Sequence, residues 1–151
     1  MAQPDAARIT EGDQLPQISL AVTYEKVAMT PMATWDLFPG HHDPFFARSQ
    51  GQKSIYLNTV VLQGFADRVA TDWAGPAAFI ARRKMVMKAS VYPGDVLTGS
   101  GRVIACAMNN GQQQIELAIQ LRTQSGVVCD VETTLVLLPH KQLKPRSNSG
   151  T

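Results

Sequence analysis

The sequence predicts an α+β protein in which a curved antiparallel sheet is wrapped around one long central helix. Apolar side chains recur at spacings of three and four from Asn58 or Thr59 to Trp73, as in a largely enclosed helix. From Phe79 onward the chain instead alternates apolar and polar residues between turn sequences, as in an antiparallel meander. Helices followed by a run of strands favour an antiparallel sheet with the helices on one face.

Three shorter elements are predicted before the long helix. Residues 18–24 alternate as a half-buried strand. Residues 29–37 are predicted to form a short helix that Thr30 caps. Asp43 is predicted to cap a second short helix over residues 44–50.

The long helix is predicted to stop at Gly75-Pro76, because glycine and proline both end helices. Gly64 in its middle costs about 1 kcal/mol against alanine. A close approach of another backbone segment would explain this glycine, and a tolerated defect would explain it equally well.

Four strands are predicted after the long helix. Asn110-Gly111 is a strong hairpin signal, and Gly99 and Gly101 predict a bulge or bend in the second of these strands. The predicted ranges are residues 82–91, 96–108, 114–122 and 127–138. Such a sheet leaves open edges, which two sheets would close by joining edge to edge.

The chain of 151 residues is long enough for one domain with a sizeable core. That domain is expected over residues 17–139, after a polar lead-in at residues 1–16. Residues 140–151 are expected to form a flexible tail.

Composition and charge exclude several classes of protein. The hydrophobic fraction of 44% and charged fraction of 17% are typical of a folded protein, and a formal charge of +2 gives little basis for binding nucleic acid. No apolar run approaches the ~20 residues of a membrane span. The amino terminus has no hydrophobic signal core, so we expect a cytoplasmic protein in which Cys106 and Cys129 are reduced core residues.

The stretch around residues 34–47 contains the candidate chemistry. Asp36 and His41 lie on either side of Pro39-Gly40, a pair of residues that allows a sharp bend. Such a bend can aim a carboxylate and an imidazole at one water molecule, which is the simplest apparatus for adding water to a double bond. Asp36 as an ordinary helix cap or loop residue is the structural alternative.

Four collinear stretches carry a resemblance to a known family. They are residues 11–16, the motif Asp36-x-x-Pro39-x-His41-x-Asp43-Pro44 followed by Phe46-Ala47, residues 55–65 and residues 91–97. In these stretches the chain resembles the MaoC-like acyl-CoA hydratases and dehydratases, the (R)-specific enoyl-CoA hydratase group of the hotdog fold. The resemblance implies the hotdog fold. It also implies hydration of a trans-2-enoyl-CoA thioester to the (R)-3-hydroxyacyl-CoA, or the reverse dehydration.

The resemblance also implies roles for particular residues. Asp36 and His41 would hold the attacking water and supply the base and the proton donor. The thioester oxygen would be stabilised at the start of the long helix, by the backbone N–H of Thr59 and the region of Gly40, with Asn58 among the substrate-binding residues. No separate cofactor is implied, because coenzyme A is part of the substrate.

Within this family, Asn58-Thr59 and residues 71–76 look most like the small subunits of hydratases that act on steroid side-chain enoyl-CoA thioesters. Those subunits pair with a second MaoC-like chain. The resemblance therefore implies an acyl-CoA substrate and either a homodimer or a heteromer.

Three departures from the family pattern bear on acyl specificity. The chain has Phe38 where the family often has Asn, Gly40 where it has a branched aliphatic residue, and Asn58-Thr59 where it has His-Gly. A glycine at position 40 would widen the acyl pocket, whereas Phe38 would narrow it.

Two other functions are open at this point. A hotdog acyl-CoA thioesterase would use Asp36 to direct water at the carbonyl carbon, and a non-catalytic subunit would leave the chemistry to its partner. The sequence has neither HxxxH nor CxxC spacing, so we predict no metal site. Arg82, Arg83 and Lys84 either attract the phosphates of coenzyme A or form a solvated strand face.

Overall fold

The structure, a computed structural model, describes residues 8–138. These residues form five strands, three α-helices and a 3-10 turn. In chain order the elements are β1 (Gln14–Ala21), α1 (Tyr24–Thr34), the 3-10 turn (Pro39–His41), α2 (Pro44–Ser49), α3 (Thr59–Ala74), β2 (Ala78–Met87), β3 (Val96–Asn109), β4 (Gln112–Thr123) and β5 (Gly126–Leu137). The predicted tail at residues 140–151 lies outside the described residues.

The five strands form one sheet in the order β1-β3-β4-β5-β2, and every neighbouring pair is antiparallel. Helix α3 contacts both edge strands, β1 and β2, as well as the central strands β3 and β4. Five strands span roughly 19 Å, whereas a helix is about 10–12 Å across. One helix can reach both edges only if the sheet curves around it, so the predicted α+β architecture is confirmed.

Helix α3 has the bounds and the apolar faces that the sequence predicts. Asn58 caps its first turn by accepting a hydrogen bond from the backbone N–H of Val61 at 3.0 Å, and Gly75 ends it. Its buried residues are Leu62, Phe65, Ala66, Val69, Ala70 and Trp73. They pack into the concave face of the sheet, where alternate β4 residues from Ile115 to Leu121 are also buried.

The glycines of β3 lie at an irregularity of the sheet, as predicted, and Gly99 has a further purpose. In the pairing of β1 with β3 the register shifts between Leu15 and Ile18, which lie opposite Gly101 and Gly99, and in the pairing of β3 with β4 it shifts between Val103 and Ala105. A Cβ added to Gly99 would lie 2.6 Å from Cγ2 of Val69 and 3.2 Å from the Phe65 ring. Gly99 therefore allows α3 to approach the sheet closely. By contrast, Gly64 of α3 has no atom within 4 Å of an added Cβ, which excludes the close-approach explanation for it.

The first strand and first helix begin earlier than predicted. Strand β1 starts at Gln14, within the stretch read as a polar lead-in. Tyr24, placed in the strand by its pattern, instead opens α1. The cap of α1 is Thr23, whose hydroxyl accepts from the N–H of Lys26 at 3.1 Å, so the prediction of Thr30 as the cap was wrong.

Thr30 lies inside α1, where it compensates for Pro31. Proline has no N–H to donate to the carbonyl four residues earlier, which is that of Val27. The Thr30 hydroxyl donates to this carbonyl instead, at 2.9 Å. A threonine before a proline is a pattern typical of a helix start. Here both residues lie inside a helix, and the threonine hydroxyl supplies the hydrogen bond that the proline cannot make.

Both cysteines are free, but only Cys129 is a core residue. Cys106 is exposed near the far end of β3, so its predicted burial was wrong. Within residues 8–138 no helix is long and apolar enough to cross a membrane.

We expect Gly99→Ala to lower the free energy of unfolding by about 1–3 kcal/mol, because the new methyl group overlaps Val69. Gly64→Ala is the matched control and should raise stability by up to about 1 kcal/mol, since it improves helix propensity in open space. Urea unfolding of both variants tests this, and a Gly99→Ala protein as stable as the wild type would contradict the close packing of α3.

Burial raises the pKa of Cys129 from 9.0 to about 11, with a smaller contribution from the charge of Asp130. Between pH 9 and about pH 11 the thiol therefore stays protonated in the folded state, whereas the thiol of the unfolded chain is ionised. This contribution to stability is complete below pH 9 and is lost as the pH rises toward 11.

We expect the stability difference between wild type and Cys129→Ala to shrink by about 2 kcal/mol between pH 8 and pH 10.5. Urea unfolding at both pH values measures it. Parallel pH profiles of the two proteins would show that the thiol does not stay protonated in the fold.

Candidate active site

The candidate residues lie on the connection between α1 and α2. Helix α1 ends at Trp35, which has a left-handed backbone conformation with φ of 55° and is 84% exposed. The chain then passes Asp36 and enters the 3-10 turn. As predicted, Asp43 caps α2, its carboxylate accepting from the N–H groups of Phe45 and Phe46. Both ends of this connection are therefore fixed by helix termini.

The structure brings Asp36 and His41 together across the bend. Oδ2 of Asp36 lies 3.4 Å from Nε2 of His41, and the two side chains are 32% and 8% exposed. The carboxylate thus faces solvent while the imidazole is almost enclosed. The predicted convergence of these two side chains is what the geometry shows.

The backbone fixes the tautomer of His41. Its Nδ1 lies 2.8 Å from the carbonyl oxygen of Tyr56. A carbonyl can only accept a hydrogen bond, so Nδ1 carries the hydrogen. In the neutral ring, Nε2 is then an unprotonated acceptor that faces Asp36.

Two acceptors that face each other need a hydrogen between them. An ionised Asp36 and the lone pair of His41 Nε2 would repel each other at 3.4 Å without a donor. A water molecule satisfies both, because it can donate one hydrogen to each. The arrangement can therefore hold a water whose oxygen lone pairs remain free.

Aromatic side chains enclose the imidazole. The Tyr56 ring lies edge-on to His41 with a centroid distance of 4.9 Å, and the Phe38 ring lies edge-on at 5.5 Å. Phe38 in turn packs edge-on against Phe46 at 5.4 Å. These contacts restrict rotation of His41 and reduce the access of bulk water to it.

Gly40 is buried between these rings. A Cβ at this position would lie 2.7 Å from the Phe38 ring and 2.8 Å from the Tyr56 hydroxyl. The space that a family-type aliphatic side chain would take is therefore already filled. Of the two sequence-based alternatives, the structure favours a pocket narrowed by Phe38, because Phe38 and Tyr56 occupy the volume beside Gly40.

Asn58 is fully buried and joins α1 to α3. Its amide nitrogen donates to the Thr34 hydroxyl at 2.6 Å, while its oxygen caps α3. Thr34 donates in turn to the carbonyl of Thr30 at 2.7 Å. The Asn58 side chain is thus used in holding the fold, so a direct contact between this side chain and substrate is not part of our proposal.

Thr59 begins α3 and is exposed. The helix provides no acceptor for the N–H groups of its first residues, which carry the positive end of the helix dipole. Because Asn58 binds Thr34, this helix start lies beside the end of α1 and hence near Asp36. The arrangement can stabilise an oxygen that gains negative charge.

The structure also places residues that the sequence left ambiguous. His42, the neighbour of His41 in the sequence, is exposed, whereas His41 is buried. Arg83 pairs with Asp67 of α3, and Lys84 lies 3.7 Å from Glu132. These two cations are engaged with carboxylates of the chain, which favours the strand-face interpretation over binding of phosphates.

Sequence reasoning missed Tyr56. Its role in orienting His41 is a backbone contact between residues fifteen positions apart, and no pattern in the sequence signals such a contact. Across residues 8–138, no three His, Cys, Asp or Glu side chains are grouped so that they could hold a metal ion.

Comparison with known proteins gives one curated relative and many structural neighbours. The relative is the 3-oxo-4,17-pregnadiene-20-carboxyl-CoA hydratase beta subunit of Mycobacterium tuberculosis (strain ATCC 25618 / H37Rv), 32% identical over 124 residues, which are 82% of this chain and 95% of that protein. No protein-family profile matches the sequence.

Two of the solved structures with this fold illustrate the similarity. A chain of the ChsH1-ChsH2 complex from Mycobacterium tuberculosis superposes with a TM-score of 0.77 at 31% identity, covering 85% of this chain and 98% of that one. A MaoC-like dehydratase from Rhodospirillum rubrum superposes with a TM-score of 0.77 at 16% identity, and the match covers 92% of this chain and 97% of that one. The predicted hotdog fold is confirmed by these similarities.

We expect Asn58→Ala to lower the free energy of unfolding by about 2–3 kcal/mol, through loss of the α3 cap and of the bond to Thr34. Asn58→Ser keeps a capping oxygen but loses the amide donor. The decrease in its free energy of unfolding should therefore be about half that of Asn58→Ala. Thermal and urea unfolding distinguish the two variants. Equal stability of Asn58→Ala and the wild type would show that the connection between α1 and α3 is dispensable.

Proposed function

The chain belongs to the MaoC-like hydratase and dehydratase family, and we propose that it hydrates a trans-2-enoyl-CoA thioester to the (R)-3-hydroxyacyl-CoA or catalyses the reverse dehydration. The observation that carries this proposal is the facing pair of acceptors, Asp36 Oδ2 and His41 Nε2, separated by 3.4 Å. A water that donates to both presents its oxygen lone pair to the β-carbon of a substrate.

The proposed chemistry follows from the tautomer of His41. As the water oxygen bonds to the β-carbon, Nε2 takes one of its protons, and the carboxylate of Asp36 stabilises the resulting imidazolium. Nε2 then gives a proton to the α-carbon. One hydroxyl and one hydrogen have been added to the double bond, and the catalytic pair has returned to its starting state. Nδ1 keeps its hydrogen on the Tyr56 carbonyl throughout.

The thioester oxygen gains negative charge between these two proton transfers. We assign its stabilisation to the backbone N–H of Thr59 at the start of α3, close to Gly40. A fixed backbone donor at a helix start needs no reorganisation as the charge develops. No separate cofactor is part of the proposal, because coenzyme A belongs to the substrate.

The acyl group that we propose is bulky and apolar, like a steroid side chain. The curated relative is named as a hydratase of a pregnadiene carboxyl-CoA. In this chain, large apolar side chains are exposed around Asp36, namely Trp35, Leu37, Phe38 and Phe45. Such a surface suits a large apolar ligand better than a short polar one.

We further propose that a second MaoC-like chain completes the site. One structural neighbour is a ChsH1-ChsH2 complex. Three grooves of about 350, 440 and 490 Å³ in the described chain are lined by residues other than Asp36 and His41, so the pair is not at the base of any of these three. A homodimer would be the alternative assembly. The free thiols are consistent with a cytoplasmic location, which is also part of the proposal.

We expect Asp36→Asn and His41→Ala each to lower kcat by at least about 100-fold with little change in KM. His41→Ala removes the proton transfer, and Asp36→Asn removes the charge that holds the water and stabilises the imidazolium, whereas neither change removes a proposed contact with the thioester. The assay uses the protein with any co-purified partner and follows both the enoyl absorbance and the release of free thiol. His42→Ala and Asp72→Asn are matched controls, since both residues are exposed and outside the site.

The same assay separates the other functions. Release of thiol without loss of the enoyl group would identify a thioesterase. Undiminished turnover by the assembled Asp36→Asn protein would identify a non-catalytic subunit whose partner performs the chemistry.

A further inference from the structure

Tyr56 belongs to the segment that holds His41. Besides its carbonyl contact with Nδ1 of His41, its own N–H donates to the carbonyl of Gly40 at 3.4 Å. The next residue, Leu57, is buried and donates to the carbonyl of Val91 at 2.9 Å. The position of the Tyr56 side chain is therefore set by backbone contacts on both sides.

The hydroxyl group of Tyr56 lies over the bend between Asp36 and His41. A Cβ on Gly40 would be 2.8 Å from this oxygen, which places the hydroxyl directly above the Gly40 backbone. The Tyr56 ring is edge-on to the rings of His41 and Tyr92, with centroid distances of 4.9 Å and 6.5 Å. The phenol oxygen thus lies beside the turn that carries the candidate catalytic pair.

This hydroxyl has no hydrogen-bond partner among residues 8–138, whereas the hydroxyl of Tyr92 donates to Oε1 of Gln52 at 2.5 Å. Among residues 8–138 the buried side-chain nitrogen and oxygen atoms without a partner are Asp67 Oδ1 and Thr133 Oγ1, so the Tyr56 hydroxyl is accessible to solvent and to a ligand. Burial raises the pKa of Tyr56, and the charges of Tyr92 and Asp36 raise it further. The phenol therefore stays neutral and remains a donor at any pH near neutrality.

The water between Asp36 and His41 is not a suitable partner for this donor. Its two hydrogens point to the two acceptors, and its lone pair must be free to attack. A hydrogen bond donated to that lone pair would lower its nucleophilicity. The group in the reaction that needs a donor is the thioester oxygen, since it becomes negative as the water adds.

We propose that the Tyr56 hydroxyl donates a hydrogen bond to the thioester oxygen of the substrate, as a second donor beside the Thr59 N–H. The two donors would come from one short segment, residues 56–59, which is anchored to the catalytic turn and to α3. This inference rests on the proposed hydratase function and adds to it a side chain that touches the reacting carbonyl group.

Tyr56→Phe tests the inference, because it removes only the hydroxyl and keeps the ring and the carbonyl that orients His41. We expect kcat to fall about 10- to 100-fold while KM changes less than about threefold. The melting temperature should be unchanged, since the hydroxyl has no partner in the described part of the chain. Tyr24→Phe, at an exposed position at the start of α1, should keep wild-type kinetics.

A binding experiment separates carbonyl recognition from packing. The ligands are butyryl-CoA, a saturated thioester that cannot react, and S-butyl-CoA, which lacks the carbonyl oxygen. Tyr56→Phe should weaken butyryl-CoA binding about 3- to 10-fold and leave S-butyl-CoA binding unchanged.

Two results would overturn this inference. One is a kcat of Tyr56→Phe within twofold of the wild type, and the other is an equal weakening of both ligands, which would indicate a packing role. If Asp36→Asn is inactive while Tyr56→Phe is fully active, this inference fails and the hydratase proposal stands. If Asp36→Asn is itself active, the proposed function fails first.

Discussion

The hydrogen bond from His41 Nδ1 to the carbonyl oxygen of Tyr56 is the interaction on which the site depends. It fixes the ring orientation, assigns the tautomer and leaves Nε2 as an acceptor opposite Asp36. A carbonyl oxygen does not titrate, so the assignment holds at every pH at which the ring is neutral. A carboxylate in the same place would bind His41 as well, but it would also favour the charged ring and so remove the acceptor.

That carbonyl is itself positioned by the fold. Tyr56 lies just before α3, whose first turn is capped by Asn58, and the same Asn58 holds Thr34 at the end of α1. One buried amide therefore sets the distance between the segment that presents Asp36 and the segment that orients His41. The sheet adds rigidity, because α3 packs into its concave face through close contact at Gly99. Displacement of α3 would change the geometry of the pair without any change in the pair itself.

The sequence predicted those features that depend on local periodicity or on turn chemistry. The bounds of α3, the Asn110-Gly111 hairpin and the Asp43 cap each follow from a few adjacent residues, and all are present. The features that it missed depend on tertiary contacts. The close approach of Val69 to Gly99 has no local signal, because the two residues are thirty positions apart in the sequence. For the same reason Tyr56 carries no local signal, since its partner His41 is reached only across the folded turn.

The exposed apolar side chains near Asp36 in the chain are the feature that the proposed partner chain and acyl group would account for. Trp35 has the left-handed backbone conformation that ends α1 and is 84% exposed, and Phe45 in the first turn of α2 is 80% exposed. Exposed apolar groups of this size are stabilised when a ligand or another protein surface removes them from water. The two catalytic candidates differ in exposure, since the side chain of Asp36 is 32% exposed and that of His41 only 8%. The carboxylate is therefore the member of the pair that an acyl group or a partner chain could reach, while the imidazole is held by the protein that orients it.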